Sequence, residues 1–121
     1  VLDNILRDFH LSGVDLPENK QQRFKEIQQS LSALSSDFSN KVLDANNAWS
    51  KELASSDDLA GLPQSAIDLA KQTAGQRELE GYLLTLDFPS YQPVMTYAED
   101  ATLREEMYRA FATRASDEGP Y

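Results

Sequence analysis

Between Glu18 and Ala60 the sequence holds neither glycine nor proline, and Phe24, Ile27, Leu31, Leu34 and Phe38 recur within it at steps of 3, 4, 3 and 4. That recurrence is the period of one face of an α-helix. Val42 extends the stripe by one further four-residue step. Gln, Lys, Ser and Glu fill the remaining faces, as an amphipathic helix requires. The pattern predicts a helix over about 18–45, which at 1.5 Å per residue would span ~42 Å. Any fold containing it must cover the stripe. Only about two heptads are present, fewer than the roughly 3–4 that mark a coiled coil. The sequence therefore favours burying Leu31 and Leu34 inside one helical bundle over pairing two copies.

The flanking segments read as shorter helices. Val1, Leu2, Ile5, Leu6 and Phe9 follow helical spacing, giving a helix over Val1 to about His10 with Gly13 as a left-handed C-terminal cap. Val14 to Pro17 is expected to be an extended connection, because Pro17 biases Leu16 away from helix. Asn46 and Asn47 are weak helix formers. Beyond them, Trp49, Lys51 and Leu53 alternate with Ala48, Ser50 and Glu52, which predicts a strand over 48–53. Asp57 and Asp58 are expected to cap a single turn ending near Gly61. Pro63 should open a helix reaching Ala74, with Gly75 as its cap.

Tyr82 to Asp87 is short, apolar and stopped by Pro89, the best strand in the chain. It can pair antiparallel with 48–53, a ribbon that needs helices packed on it to be stable. A short helix over about 91–97 follows. The last helix starts after an Asp100 cap and runs to about Ser116. Leu103, Met107, Ala110 and Phe111 form its buried stripe, with Asp100–Arg104 and Glu105–Arg109 as favourable pairs one turn apart. The fold class is mainly α: a helical bundle with one long helix and a minor two-stranded antiparallel ribbon, over 1–121 as a single unit. The order of elements gives no βαβ alternation.

Composition removes several functions. There is no cysteine, so disulfide frameworks and thiolate metal sites are excluded. Twenty acidic residues stand against 11 Lys and Arg. That balance argues against nucleic acid as a partner, because phosphate contacts need clustered basic residues. No run approaches the ~18 apolar residues of a membrane helix, and no signal peptide is evident. A cytoplasmic protein is the default. The first residue is valine, already inside a helical pattern, and the last three are Gly119-Pro120-Tyr121, a loop signal. The sequence reads as an internal piece of something larger.

Self-contained chemistry is hard to find. A zinc hydrolase helix needs two imidazoles one turn apart with a carboxylate beside them. This chain has one histidine, His10, best read as a favourable charge at a helix C-terminus. Glu105 and Glu106 point in different directions on a helix and are expected to be solvated or paired with Arg. The serines lie outside any Gly-x-Ser-x-Gly elbow, and the five glycines form no phosphate loop. Tyr82, Tyr91, Tyr97 and Tyr108 are either core residues with their hydroxyls at the surface or part of a peptide-binding wall. Arg114 flanks the buried face and can pair with Asp117 or Glu118, or across a domain boundary; a surface pair is worth only about 0–1 kcal/mol. No catalytic, cofactor-binding or metal-binding residue is assigned.

A resemblance supplies what the residues alone do not. The run LLTLDFPSYQPVMTYAEDATLREEMYRAFATRASDEGP, from Leu83 to Pro120, resembles the oligopeptidase A branch of the thimet oligopeptidase and neurolysin family of zinc metallopeptidases. LRDFHLSGVDLPENKQQRF at 6–24, NKVLDANNAW at 40–49 and LAGLP at 59–63 agree, so the resemblance covers essentially the whole chain. It implies a two-lobed helical parent with a deep channel. One zinc ion, the implied cofactor, would sit on a His-Glu-x-x-His helix and a downstream glutamate, acting as Lewis acid while the glutamate of the motif serves as general base. Those residues would lie C-terminal to the matched region, so none is carried over. The implied role is a non-catalytic part of the N-terminal lobe of a cytoplasmic metalloendopeptidase. It would form channel wall and limit entry to short oligopeptides, with the parent's own catalytic lobe as partner. The alternative is a stand-alone helical protein-interaction module docking through Phe24–Phe38. For a piece cut from a larger lobe, apolar faces left uncovered predict self-association, through the Val1–Phe9 helix or the face around Met107.

Overall fold

The computed structural model describes residues 1–117. Glu118, one of the two partners expected for Arg114, and the Gly119-Pro120-Tyr121 loop signal lie outside the described residues. The chain divides into two compact units, Val1–Ser39 and Asn40–Tyr121. Its described elements are α1 (Leu2–Leu11), α2 (Glu18–Ala48), β1 (Ser50–Leu53), a 3₁₀ turn (Ser56–Leu59), α3 (Gln64–Gln76), β2 (Tyr82–Thr85), α4 (Phe88–Tyr97) and α5 (Ala101–Ala112). Among the described residues no helix is long and apolar enough to cross a membrane.

In the first unit α1 ends as the sequence predicts. Gly13 takes φ +83° just past the helix, and its N–H donates to the His10 carbonyl at 3.1 Å. The connection that follows is a turn rather than extended chain. The Leu16 N–H reaches back to the Gly13 carbonyl at 3.2 Å, so Pro17 constrains only the last step before α2. The larger correction concerns the apolar stripe. Ile27, Leu31, Leu34 and Phe38 are 42%, 55%, 64% and 58% exposed, and no residue of 1–39 is buried. Periodicity required that one face be apolar; it did not require this chain to cover it.

The core lies wholly in the second unit. Leu59, Leu62, Ala70, Leu84, Val94, Ala98, Leu103 and Met107 form one buried cluster, with Trp49, Leu53, Ala66, Ile67, Tyr82 and Tyr91 packed against it. The ribbon forms as expected, antiparallel, with Ser50 opposite Thr85 and Leu53 opposite Tyr82. It is shorter than the sequence pattern at both strands. α3 packs on β2, and α4 packs on α3, β2 and α5. This supplies the helical cover that a two-stranded ribbon needs. Met107, offered by the sequence as an uncovered face, is fully buried by the chain's own helices.

Several boundaries move for identifiable reasons. α2 runs three residues beyond Ala45 because Asn46 finds tertiary partners that outweigh its weak helix propensity. The 3₁₀ turn is capped by Ser55, whose hydroxyl accepts from the Asp57 N–H, rather than by Asp57 or Asp58. Gly61 then adopts φ +90° with its α-carbon against the Tyr97 carbonyl, where a Cβ would not fit.

α3 passes through Gly75 to Gln76. It closes with the Glu78 N–H on the Gly75 carbonyl and the Leu79 N–H on the Ala74 carbonyl, so Glu78 instead of glycine takes the left-handed position. α4 begins at Phe88, earlier than 91, because Pro89 falls in its first turn, where no N–H is required. α5 carries its Asp100 cap, the side chain accepting from the Thr102 N–H. It ends at Ala112 rather than Ser116; the chain turns over Thr113–Asp117 and Ala115 takes φ +53°.

Candidate functional site

The residues best placed to act together lie where the last turn of α2, the β2–α4 junction and the end of α5 meet. All belong to the second unit. Arg114 follows α5 and lays its guanidinium over the Phe111 ring, 3.7 Å from the centroid. Phe111 in turn stacks on Tyr91 of α4, with centroids 4.3 Å apart and planes 16° from parallel. The guanidinium does not pair with Asp117. Its Nε donates to the Phe111 carbonyl and its Nη1 to Asn46 Oδ1, each at 2.9 Å. Asn46 passes the connection on, donating from Nδ2 to Asp87 Oδ1 at 2.9 Å. The Ser90 hydroxyl accepts from the Thr85 N–H at 3.0 Å, fixing the turn into α4.

This cluster joins three elements distant in sequence through one asparagine amide that uses both its acceptor and its donor. Tyr91 ionises above the usual tyrosine range: burial is the main cause and nearby Tyr108 adds to it, while Arg114 works against them. Tyr108 and Tyr97 are 59% and 51% exposed, whereas Tyr82 packs on the core. The four tyrosines thus divide between core and surface.

A second cluster lies between β1 and α5. Lys51, Asp58, Asp100 and Glu106 line one recess. Lys51 Nζ donates to both Glu106 oxygens, at 2.8 and 3.1 Å, and both side chains are partly buried. Glu105 pairs with Arg109 at 2.9 Å on the exposed face, as predicted, whereas Glu106 pairs with a lysine and not an arginine. The expected Asp100–Arg104 pair is replaced. Arg104 donates to the carbonyls of Ala98 and Glu99, holding the α4–α5 corner instead.

In the first unit His10 closes the last turn of α1, and its Nδ1 lies 2.5 Å from Asp15 Oδ2. The hydrogen bond to His10 holds the Asp15 carboxyl below the usual carboxylate range. Both side chains are well exposed.

No group of three His, Asp or Glu that could hold a metal ion occurs among the described residues. The donor set among the described residues does not fit a catalytic zinc: the one imidazole is engaged by Asp15, and around Lys51 the Glu106 carboxylate is tied to the ammonium and the Asp100 carboxylate to a helix cap. What these clusters can do is position: they tie helices to a ribbon and hold an aromatic surface. Asn46, Asp87 and Lys51 were not singled out by sequence reasoning. The available signal was an asparagine pair inside an otherwise uninterrupted helical pattern, a local conflict that marks a tertiary constraint.

No family model matches the chain. Individual proteins do. The chain is 59% identical over 119 residues to Oligopeptidase A of Escherichia coli, an alignment covering 98% of this chain and 18% of that protein. It is 57% identical over 119 residues to Oligopeptidase A of Haemophilus influenzae, with the same shares covered. It is 41% identical over 118 residues to a probable cytosolic oligopeptidase A of Arabidopsis thaliana, covering 92% of this chain and 17% of the plant protein. The chain therefore spans less than a fifth of the length of these relatives.

Proposed function

The chain belongs to the oligopeptidase A family over the stretch it spans, and on that premise we propose that it is a non-catalytic segment of a zinc-dependent metalloendopeptidase that hydrolyses short peptides in the cytoplasm. Its part is to build channel wall and limit which substrates enter. One observation carries the reading: identity close to 60% runs through almost the whole chain, while the donor set within it does not fit a metal. A segment that keeps its relatives' sequence without chemistry of its own serves by shape. The ribbon, the α3–α4–α5 packing and the Arg114–Asn46–Asp87 connection give it the rigidity that a wall needs. Zinc, held by residues elsewhere in the parent, would supply Lewis acidity there.

The test has two arms. The 121-residue chain, incubated with zinc and a quenched fluorescent oligopeptide, is expected to give no chelator-sensitive turnover. The longer protein is expected to cleave short peptides, to stop cleaving as the peptide lengthens, and to lose that length limit when Met107→Ala loosens the segment. Turnover by the short chain, or a length limit unmoved by loosening, would overturn the proposal. The exposed stripe on α2 favours a second reading, a stand-alone helical interaction module. A reading frame that continues for several hundred residues with a His-Glu-x-x-His helix decides for the first; a stop codon soon after Tyr121 decides for the second.

A further inference from the structure

We propose that Asp87 is a positioning residue for Arg114: acting through the Asn46 amide, the carboxylate at the β2–α4 junction holds the guanidinium over the Phe111 ring. The inference concerns the second unit alone and does not depend on the peptidase reading. Its starting point is an amide with a fixed direction. Asn46 Nδ2 donates to Asp87 Oδ1, and Asn46 Oδ1 accepts from Arg114 Nη1, each at 2.9 Å. A flipped amide would set its NH2 group against the guanidinium donors and its oxygen against the carboxylate. Both charges therefore select the same orientation. In it the amide dipole runs from carboxylate to guanidinium, so each charge strengthens the bond that the amide makes to the other. Loss of the Asp87 bond should accordingly loosen a guanidinium with which Asp87 makes no ion pair.

The two ends of this connection differ in how firmly they are held. Asp87 sits on fixed backbone, its carbonyl accepting from the Ser90 and Tyr91 N–H groups at 2.9 Å, where α4 begins. Its second oxygen faces the Thr85 hydroxyl at 3.4 Å. Arg114 has one local anchor, from Nε to the Phe111 carbonyl, about which the guanidinium could swing. Asn46 supplies the second anchor, and two anchors set the group 3.7 Å from the ring centroid. Phe111 stacks in turn on Tyr91, one turn after Asp87 in α4. The contacts thus close on themselves. They run from the start of α4 through α2 to the end of α5, and back through two aromatic rings to α4. Rotation of any one member is opposed by the others, which a chain of contacts with a free end would not provide.

NMR of the 121-residue chain gives two readouts. The Phe111 ring displaces the Arg114 side-chain resonances upfield only while the guanidinium lies over it. The Tyr91 midpoint is the second: burial and Tyr108 raise it, and Arg114 lowers it. Tyr91→Phe identifies that resonance among the five tyrosines. Asn46→Ala changes no charge, so the expected outcome is a smaller Arg114 displacement and a Tyr91 midpoint moved further up. Asp87→Ala should do the same. The sign is decisive, since loss of a nearby negative charge would by itself move the midpoint down. Added to Asn46→Ala, Asp87→Ala should change the Arg114 displacement no further. Asp87→Asn, whose Oδ1 still accepts from Asn46, should retain more of the displacement than Asp87→Ala. Circular dichroism and Trp49 fluorescence check that each variant keeps the fold. Asp87 is exposed, so the contrast between its two variants carries the test even where Asn46→Ala unfolds the chain. Arg114 resonances unmoved by Asp87→Ala, or moved as far by Asp87→Asn, would overturn the proposal. So would an Asp87→Ala effect that persists undiminished once Asn46 is alanine.

Discussion

Asn46 and Asn47 are adjacent in α2 and chemically identical, yet their replacement by alanine should move stability in opposite directions. Asn46 accepts from Arg114 and donates to Asp87. Among the described residues the Asn47 side chain makes no hydrogen bond and is exposed. Alanine gains about 0.6 kcal/mol over asparagine in a helix interior and less in the last turn, where both residues lie. At 47 nothing opposes that gain, so Asn47→Ala should stabilise slightly, by less than about 0.5 kcal/mol. At 46 the partly buried bond to a charged guanidinium is lost, which costs about 1.5–3 kcal/mol. The bond to the exposed Asp87 adds less than ~1 kcal/mol. The net loss is ~1–3 kcal/mol, or roughly 4–12 °C in unfolding midpoint for a domain of this size. The chain's single tryptophan, Trp49, packs against the core and reports the unit in which both residues lie. Thermal unfolding followed by its fluorescence, at low micromolar concentration to keep association out, compares the two variants. If both shift the midpoint upward, the Arg114–Asn46–Asp87 connection contributes nothing to stability and the reasoning fails.

Burial predicts an equally clear contrast in the core. Met107→Ala should cost ~2–5 kcal/mol, whereas Leu31→Ala, at a half-exposed site, should stay within about 1 kcal/mol in the monomer; similar denaturant midpoints would contradict the assigned burial. Gly61→Ala should destabilise by more than the ~1 kcal/mol typical of a point substitution, since it combines a left-handed φ with a clash on the Tyr97 carbonyl. A variant as stable as the parent would show that the α4 end can yield.

The Asp15 carboxyl is depressed by His10, so the folded form binds its proton more weakly than the unfolded one. The associated stability is present above the ordinary value of 3.8 and is lost as pH falls through the lower folded value. In an NMR titration, His10→Ala should raise the Asp15 midpoint towards 3.8; an unchanged midpoint would remove the hydrogen bond as its cause.

Much of the fold was legible in the sequence because punctuation and period carry that information. Gly13, Asp100 and the Tyr82–Thr85 run each specified a feature that formed. The core was less legible. Leu59, Leu62, Leu86 and Ala98 lie in a 3₁₀ turn, connections and a cap, where no periodicity marks an inward face, yet all are buried. The strongest periodicity, on α2, marked surface instead, since hydrophobic spacing defines a face and not its cover. The α2 boundary was misplaced at Ala45 because local propensity cannot register a partner 68 residues away in Arg114. The candidate site suffered in the same way: the sequence singled out Arg114 but not Asn46, whose partners appear only once the chain is folded.

The placement of Ala45 has a consequence for how α2 opens. It is the one buried residue among the 31 of α2, and it lies near the C-terminal end. Starting a helix is the costly step, while each further residue adds a bond at nearly neutral free energy. Contacts around Ala45 hold the last turns in helical form. Fraying of α2 is therefore expected to start at the Glu18 end and to run towards Ala45. Amide exchange along α2 should accordingly form a gradient, slowest beside Ala45 and fastest near Glu18, instead of one common rate.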